Sequence, residues 1–344
     1  MGKYQIKIMG LILVSSLIFG GCTRNDSMPE LTAHLGKYLG SEYKGNYVWG
    51  GAMNLAWTEL NENILHEKLK LKTNDIVALK MVDAFNNPVF SKKDLDEKSY
   101  YVKSGSGQET LKSINGESKA KFPSKSFGDL SMPLSPTDFI SYAYFLKEIE
   151  YIRAFDQKSI WFGWHYVEGF YAKTKEQKAN VNIIHYENDD KFIVNLRLKD
   201  EKDNIFLAKG YDMGDPENVV NSINKDGQTI ESMDDSDTFA APKLHLDHHR
   251  EYTELTQKPF ANKGFEQYSI AQMFENIKFD MDEKGARVEN EAVISITLGI
   301  SPISPEPKKP KNLLLDKPYW LIMQRRDSKN PYFILGVKNP ELMR

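Results

Sequence analysis

A single cysteine, Cys22, stands in a chain of 344 residues. No intrachain disulfide can form, and Cys-x-x-Cys redox or metal chemistry is excluded. No charge sign dominates: 45 Lys and Arg against 48 Asp and Glu leave a net charge of −3, mixed along the chain. A nucleic-acid surface needs a basic stripe, so nucleic acid is not an expected partner. There is no Gly-x-Ser-x-Gly, no His-Glu-x-x-His and no Gly-rich phosphate cradle, so nothing recommends an enzyme or a bound cofactor. No internal repeat and no heptad run is present. Past the N-terminus no stretch reaches the roughly 18 apolar residues of a spanning helix. What is there is 40% hydrophobic and 12% aromatic, enough for a sizeable core.

The N-terminus reads as a targeting segment. Lys3 and Lys7 precede a mostly apolar run over residues 8–19, too short to span a bilayer. It ends in Phe19-Gly20-Gly21-Cys22, small residues before a cysteine, which resembles the bacterial lipoprotein lipobox with Phe19 in place of the usual Leu. The expected layout is a signal peptide over 1–21, a lipidated Cys22 with a tether over 22–45, and one domain over 46–344. The implied partner is a membrane, reached through lipid on Cys22, and the implied location is the bacterial cell envelope, at the outer membrane or cell surface.

Along the body, residues 54–69 read as a helix with Leu55, Ala56, Leu60, Ile64 and Leu65 on one face. Residues 76–85 read as a second, capped at Asn74 or Asp75 and stopped before Pro88. Residues 113–135 are polar with Gly and Pro and read as a surface loop. The aromatic-rich stretch 139–155 reads as helical, with Glu148 and Glu150 on its solvated face. After residue 158 β-branched and aromatic runs broken by polar turns predict strands at 160–171, 181–186, 191–198, 204–208 and 243–246, with a helix at 215–224 opened by Pro216. Helices first, then mainly strands, give an α+β class.

The C-terminal stretch is the most informative. Residues 317–337 alternate Tyr319, Leu321 and Met323 with Trp320, Ile322 and Gln324, turn at 327–330, and return as a second strand, a β-hairpin pattern. Upstream stand Asp282, Glu283, Gly285 and Ala286; downstream come Pro318, Tyr319, Arg325, Gly336, Val337 and Pro340. This order resembles the C-terminal end of the serpin family: hinge, reactive loop, then a Pro-aromatic strand and a Gly-x-Val-x-x-Pro close. The likeness covers roughly residues 190–344, while the first half matches in length and element order. It implies a serpin-like α+β fold, with N-terminal helices, a large mixed or antiparallel sheet and the C-terminal hairpin. Trp161 and Trp164 are the candidates for a remnant of the family's Asn-aromatic-Trp motif.

The resemblance makes Glu283, Gly285 and Ala286 the hinge of an exposed loop at about 299–312, with Leu298, Gly299 and Ile300 as its reactive-loop candidate. A serpin loop inserts into a sheet after cleavage. From Ala286 one face would carry Val288, Asn290, Ala292, Ile294, Ile296 and Leu298, nearly all apolar. Family members that inhibit keep small residues in the hinge, whereas this chain has Arg287, Val288, Glu289, Asn290 and Glu291, and prolines follow at 302, 305, 307 and 310. The expected function is protein binding by a non-inhibitory envelope lipoprotein. The alternatives are a suicide inhibitor of a serine or cysteine protease, and a solute-binding or adhesion lipoprotein with an aromatic cleft at Trp161, Trp164 and Tyr166. His245, Asp247, His248 and His249 form the densest His/Asp cluster, read as a solvated strand end since no second ligand pair is evident and His165 and His185 could join only through the fold. The acidic run Asp234, Asp235 and Asp237 reads as a polar turn.

Overall fold

The structure, a computed structural model, describes residues 36–226, 230–290 and 309–344. Cys22 and the reactive-loop candidate Leu298, Gly299 and Ile300 lie outside the described residues, and so do the signal segment and most of the tether. Strands β1 (Ser41–Tyr43) and β2 (Asn46–Gly50) lead into helix α1 (Ala52–Leu60), prolonged by a π turn at Asn61–Leu65, and helix α2 (Ile76–Asn86). Packing begins ahead of the expected boundary at 46, since Tyr38 and Leu39 are already buried. The carboxylate of Asp75 caps α2 by accepting the N–H groups of Val77 and Ala78.

Two sequence expectations fail next. Strand β3 (Tyr100–Ser106) is followed by helix α3 (Gly107–Lys121), which takes in the first part of the expected loop at 113–135. Its only large buried apolar anchors are Leu111 and Ile114, so its sequence looks polar. The expected helix at 139–155 is instead the long strand β4 (Phe139–Glu150). Its residues alternate between two covered faces. Ala143, Phe145 and Ile149 join the main core, while Tyr142 and Tyr144 pack under α3 with Ile114 and Phe122. Burial on both faces erases the period-two pattern that would have marked a strand.

Short strands β5 (Asp156–Gln157), β6 (Ile160–Phe162), β7 (His165–Val167) and β8 (Gly169–Tyr171) follow, then helix α4 (Lys175–Lys178). Strands β9 (Val181–Asn188), β10 (Lys191–Leu196) and β11 (Asp203–Lys209) precede helix α5 (Pro216–Asp226) and the short β12 (Glu231–Ser232). The rest is β13 (Thr238–Pro242), β14 (Leu244–Glu251), β15 (Phe274–Met281), β16 (Gly285–Asn290), β17 (Asn312–Leu314), β18 (Tyr319–Arg325) and β19 (Pro331–Val337).

These strands form an eight-stranded sheet in the order β1-β2-β19-β18-β11-β10-β9-β12, a four-stranded sheet β17-β13-β8-β5, a five-stranded sheet β14-β15-β16-β4-β3 and the hairpin β6-β7. The predicted C-terminal hairpin is there: β18 and β19 lie centrally in the eight-stranded sheet, and every residue of β19 is buried. The five-stranded sheet packs its inner face on that sheet. Phe279 stacks on Phe333 at 5.0 Å, and Phe145 meets Tyr332 edge-on at 6.0 Å. Between the sheets Lys147 of β4 pairs with Asp203 of β11 at 2.6 Å, both buried. Burial pushes the Asp203 carboxyl up to about 6 against the pull of Lys147.

Candidate functional site

The site is built around the turn between β15 and β16. The Asp282 carboxylate accepts the N–H groups of Lys284 and Gly285 at 2.8 and 3.3 Å, and its own N–H bonds to the Gly285 carbonyl at 3.0 Å. An Asp side chain that mimics a turn in this way reverses the chain tightly. The turn is docked to the end of β4, because the carbonyls of Glu283 and Lys284 accept the N–H groups of Phe155 and Tyr151 at 2.8 and 3.0 Å. Glu283 is buried, and its carboxylate takes a bond from Gln157 at 2.8 Å and faces the Lys243 ammonium at 3.0 Å. Burial raises the Glu283 carboxyl, but hydrogen bonds from the backbone, Lys243 and Gln157 win and hold it below the usual range. At Gly285 a Cβ would lie 1.9 Å from the Ile149 carbonyl oxygen, so only hydrogen fits.

From Gly285 the chain enters the sheet. Strand β16 is antiparallel to both of its neighbours, with Met281↔Ala286 and Phe279↔Val288 on the β15 side and Ala286↔Ile149 and Val288↔Lys147 on the β4 side. Ala286 and Val288 face the core and are buried. The described part of this strand ends at Asn290.

Two of the bulky residues of β16, Arg287 and Glu289, have dedicated places on the outer face. Arg287 pairs with Glu148 of β4, bonds to the Ser124 carbonyl at 3.0 Å and reaches Glu289 at 3.2 Å. Glu148 is thus on a strand and ion-paired, not on a helical solvated face, and Glu150 of the same strand pairs with Lys199. Glu289 is buried and accepts four donors: the Ser126 N–H and hydroxyl at 2.7 Å each, the Tyr144 hydroxyl at 2.8 Å, and Arg287. Burial alone would raise the Glu289 carboxyl; those bonds outweigh it and hold it below the ordinary range. The segment after α3 therefore runs over β16 and clasps its outer face.

Beyond Asn290 the flanking strands continue. A cavity of about 770 Å³ is lined there by residues 139–143 of β4, residues 274–276 of β15, and α1 side chains including Met53, Ala56 and Trp57. The chain is described again from Lys309. Lys311 is buried, its N–H donating to Asp237 at 2.7 Å and its ammonium 2.9 Å from Glu231, and β17 then pairs parallel with β13. The chain is thus back in the fold by Lys311.

Glu283, Gly285 and Ala286, the residues the resemblance implies as a hinge, stand at the β15–β16 turn and the start of β16. The aromatic trio is not in a cleft: Trp161, Trp164 and Tyr166 are exposed on the β6-β7 hairpin. His245 and His249 face solvent on β14 and bond to Asp280 and Asn276, while His248 points inward to Ser41, 2.8 Å away. Among the described residues no three His, Cys, Asp or Glu side chains converge as a metal would require. Ser126, Tyr144 and Lys243 were invisible to sequence reasoning.

Comparison with solved structures places this arrangement. The chain is similar to Serpin48 of the insect Tenebrio molitor, with a TM-score of 0.51 and 11% identity, over 90% of this chain and 96% of that one.

The fold is serpin-like.

Mouse protein-Z dependent protease inhibitor gives a TM-score of 0.53 at 13% identity, covering 87% of this chain and 92% of that one. A cleaved form of Serpin 42Da gives 0.51 at 10%, with the same coverages. No family model matches the sequence, and no curated protein matches it. The serpin-like architecture spans nearly the whole body, well beyond the C-terminal stretch that carried the resemblance in the sequence.

Proposed function

We propose that this serpin-like body acts by binding a protease through the segment between β16 and β17, and that cleavage of that segment drives it further into the sheet as a strand. The observation that supports this reading is the seat of β16 between β15 and β4, antiparallel to both, with its apolar face on the core. Extended in the same register, Ala292, Ile294 and Ile296 would follow Ala286 and Val288 on the inward face, toward the cavity that begins beyond Asn290. The bulk of Arg287 and Glu289 had argued against insertion. Their partners on the outer face remove that objection, because insertion asks only one face to be apolar.

A second reading is favoured by the clasp itself. A hinge already seated, with Glu289 holding four donors, leaves less free energy to release on cleavage, which suits a non-inhibitory body that binds its partner without trapping it. One experiment separates the two: a single cut near residues 298–300 followed by a thermal melt. Insertion should raise the melting temperature by roughly 10 °C or more, which at about 2–4 °C per kcal/mol corresponds to several kcal/mol gained by adding a paired strand. An unchanged melt leaves the scaffold reading. Under the trapping reading Ile294→Arg abolishes inhibition, because a buried unpaired guanidinium cannot be seated on the inward face as the segment inserts.

The body is held at a membrane in this proposal, by acyl chains on Cys22. Each buried methylene contributes about 0.8 kcal/mol, and more than one chain gives stable anchoring. Cys22→Ser should release the protein from the membrane fraction; if it stays, the anchor is elsewhere.

A further inference from the structure

The β6-β7 hairpin presents an apex of bare aromatic rings. Trp164 is 94% exposed, the most exposed large apolar side chain among the described residues, with Trp161 at 60% and Tyr166 at 65% beside it. The hairpin is firmly built. Trp161 pairs with Tyr166 across the strands with ring centroids 5.2 Å apart. Phe162 and Val167 are buried on the underside, where Phe162 meets the Tyr319 ring. The turn residue Gly163 has φ +55°, and its N–H is tied to the Asp316 carbonyl at 2.8 Å. The rings are thus held outward by a braced turn, on a convex apex with a polar atom on each ring.

We infer that this apex, Trp161, Trp164 and Tyr166, seats in the headgroup region of a lipid bilayer. The inference rests on the anchoring reading above. Indole and phenol rings, apolar with one polar edge, favour the membrane–water interface. A convex cap needs no shape-matched pocket in its partner, which suits a soft lipid surface better than a protein. Chain length permits it: from Cys22 to Gly36 the backbone reaches at most about 46–50 Å, enough to bring any face of a domain this size to the bilayer. A tethered body also meets that bilayer at high effective concentration, so a small patch suffices to orient it. Because Gly163 is bonded to Asp316, just past β17, the apex flanks the point where the bait segment re-enters the fold. Seating the apex would hold the bait beside the membrane and select partners that work at its surface.

The test uses the full chain, purified from membranes and reconstituted into phosphatidylcholine–phosphatidylglycerol vesicles with brominated acyl chains. Trp49, Trp57 and Trp320 are buried, so lipid quenching reports on Trp161 and Trp164, and flotation reports separately on the anchor. The expected result is flotation with tryptophan emission quenched about twofold or more, the quenched part missing from the Trp161→Phe/Trp164→Phe variant. A chain that floats but stays unquenched and open to acrylamide overturns the inference while leaving the anchor intact. Rings that are unquenched by lipid and become shielded only when a bait-cleaving protease is added also overturn it, in favour of a protein contact. A chain that does not float contradicts the anchor; quenching at excess lipid would then still support the apex, and its absence would overturn it.

Discussion

Strands β18 and β16 are both hydrogen-bonded on two sides, yet they are held in different ways. In β18 and its partner β19 almost every side chain is buried on either face, from Trp320 and Leu321 to Phe333 and Leu335. In β16 Ala286 and Val288 face the core, and the outer face carries Arg287 and Glu289, each fixed by a few named polar partners. Apolar contact on both faces can be lost only by unfolding. A small apolar face plus a polar clasp can be released and remade, as the insertion proposed above requires of β16. The difference lies in chemistry, not in hydrogen-bond count.

The comparison is best attacked first in the core. Trp320→Ala empties a fully buried site and should cost about 3–5 kcal/mol of global stability, measured by denaturant unfolding. Gly285→Val comes next. Its added carbons meet the Ile149 carbonyl, overpacking of the kind that costs about 1–3 kcal/mol or more. Here the expected effect is local: β16 leaves its seat, residues 285–290 become cleavable by a nonspecific protease, and the global melt moves less than in Trp320→Ala. Equal losses of global stability would erase the distinction between the two strands.

Glu289→Ala is smaller, about 1–3 kcal/mol, because it removes the four hydrogen bonds that the buried carboxylate accepts; faster amide exchange confined to β16 is the readout. The two regions should also answer pH with opposite signs. The Glu289 carboxyl is held low, so its contribution is present above the ordinary carboxylate range and is lost as pH falls through its lowered value. The Asp203 carboxyl is held high, at about 6, so its contribution is present below the ordinary range and is lost as pH rises through about 6. Mild acid should therefore firm the inter-sheet core, an effect absent in Asp203→Asn, and only stronger acid should loosen β16. The smallest effect is expected of Arg287→Ala, within about 1 kcal/mol, since its pair with Glu148 is partly solvated.

Legibility in the sequence followed the number of covered faces. The hairpin at 319–337 was readable because a polar turn splits two apolar runs, and Asp282, Glu283 and Gly285 stood out because they recur in a known order. Strand β4 was misread, since one of its faces packs on the core and the other under α3, leaving an aromatic run with no period. Helix α3 was missed for the converse reason: two large apolar anchors, Leu111 and Ile114, are too few to show. The clasp on β16 was beyond sequence reach, because Ser126 and Glu289 are 163 positions apart and meet only through the sheet. Lys147 and Asp203 are a further case, two ordinary charges whose pairing exists only between two packed sheets.

The central claim is that β16 is the seated start of a segment that can continue into the sheet. The most direct measurement is amide exchange and a thermal melt before and after a single cut near residues 298–300. The account expects new protection in β4 and β15 beyond the β16 pairing, at residues 139–144 and 274–276, together with a sharply higher melting temperature. Unchanged protection and an unchanged melt would contradict it, leaving β16 as a fixed strand and the segment after it as a plain connector.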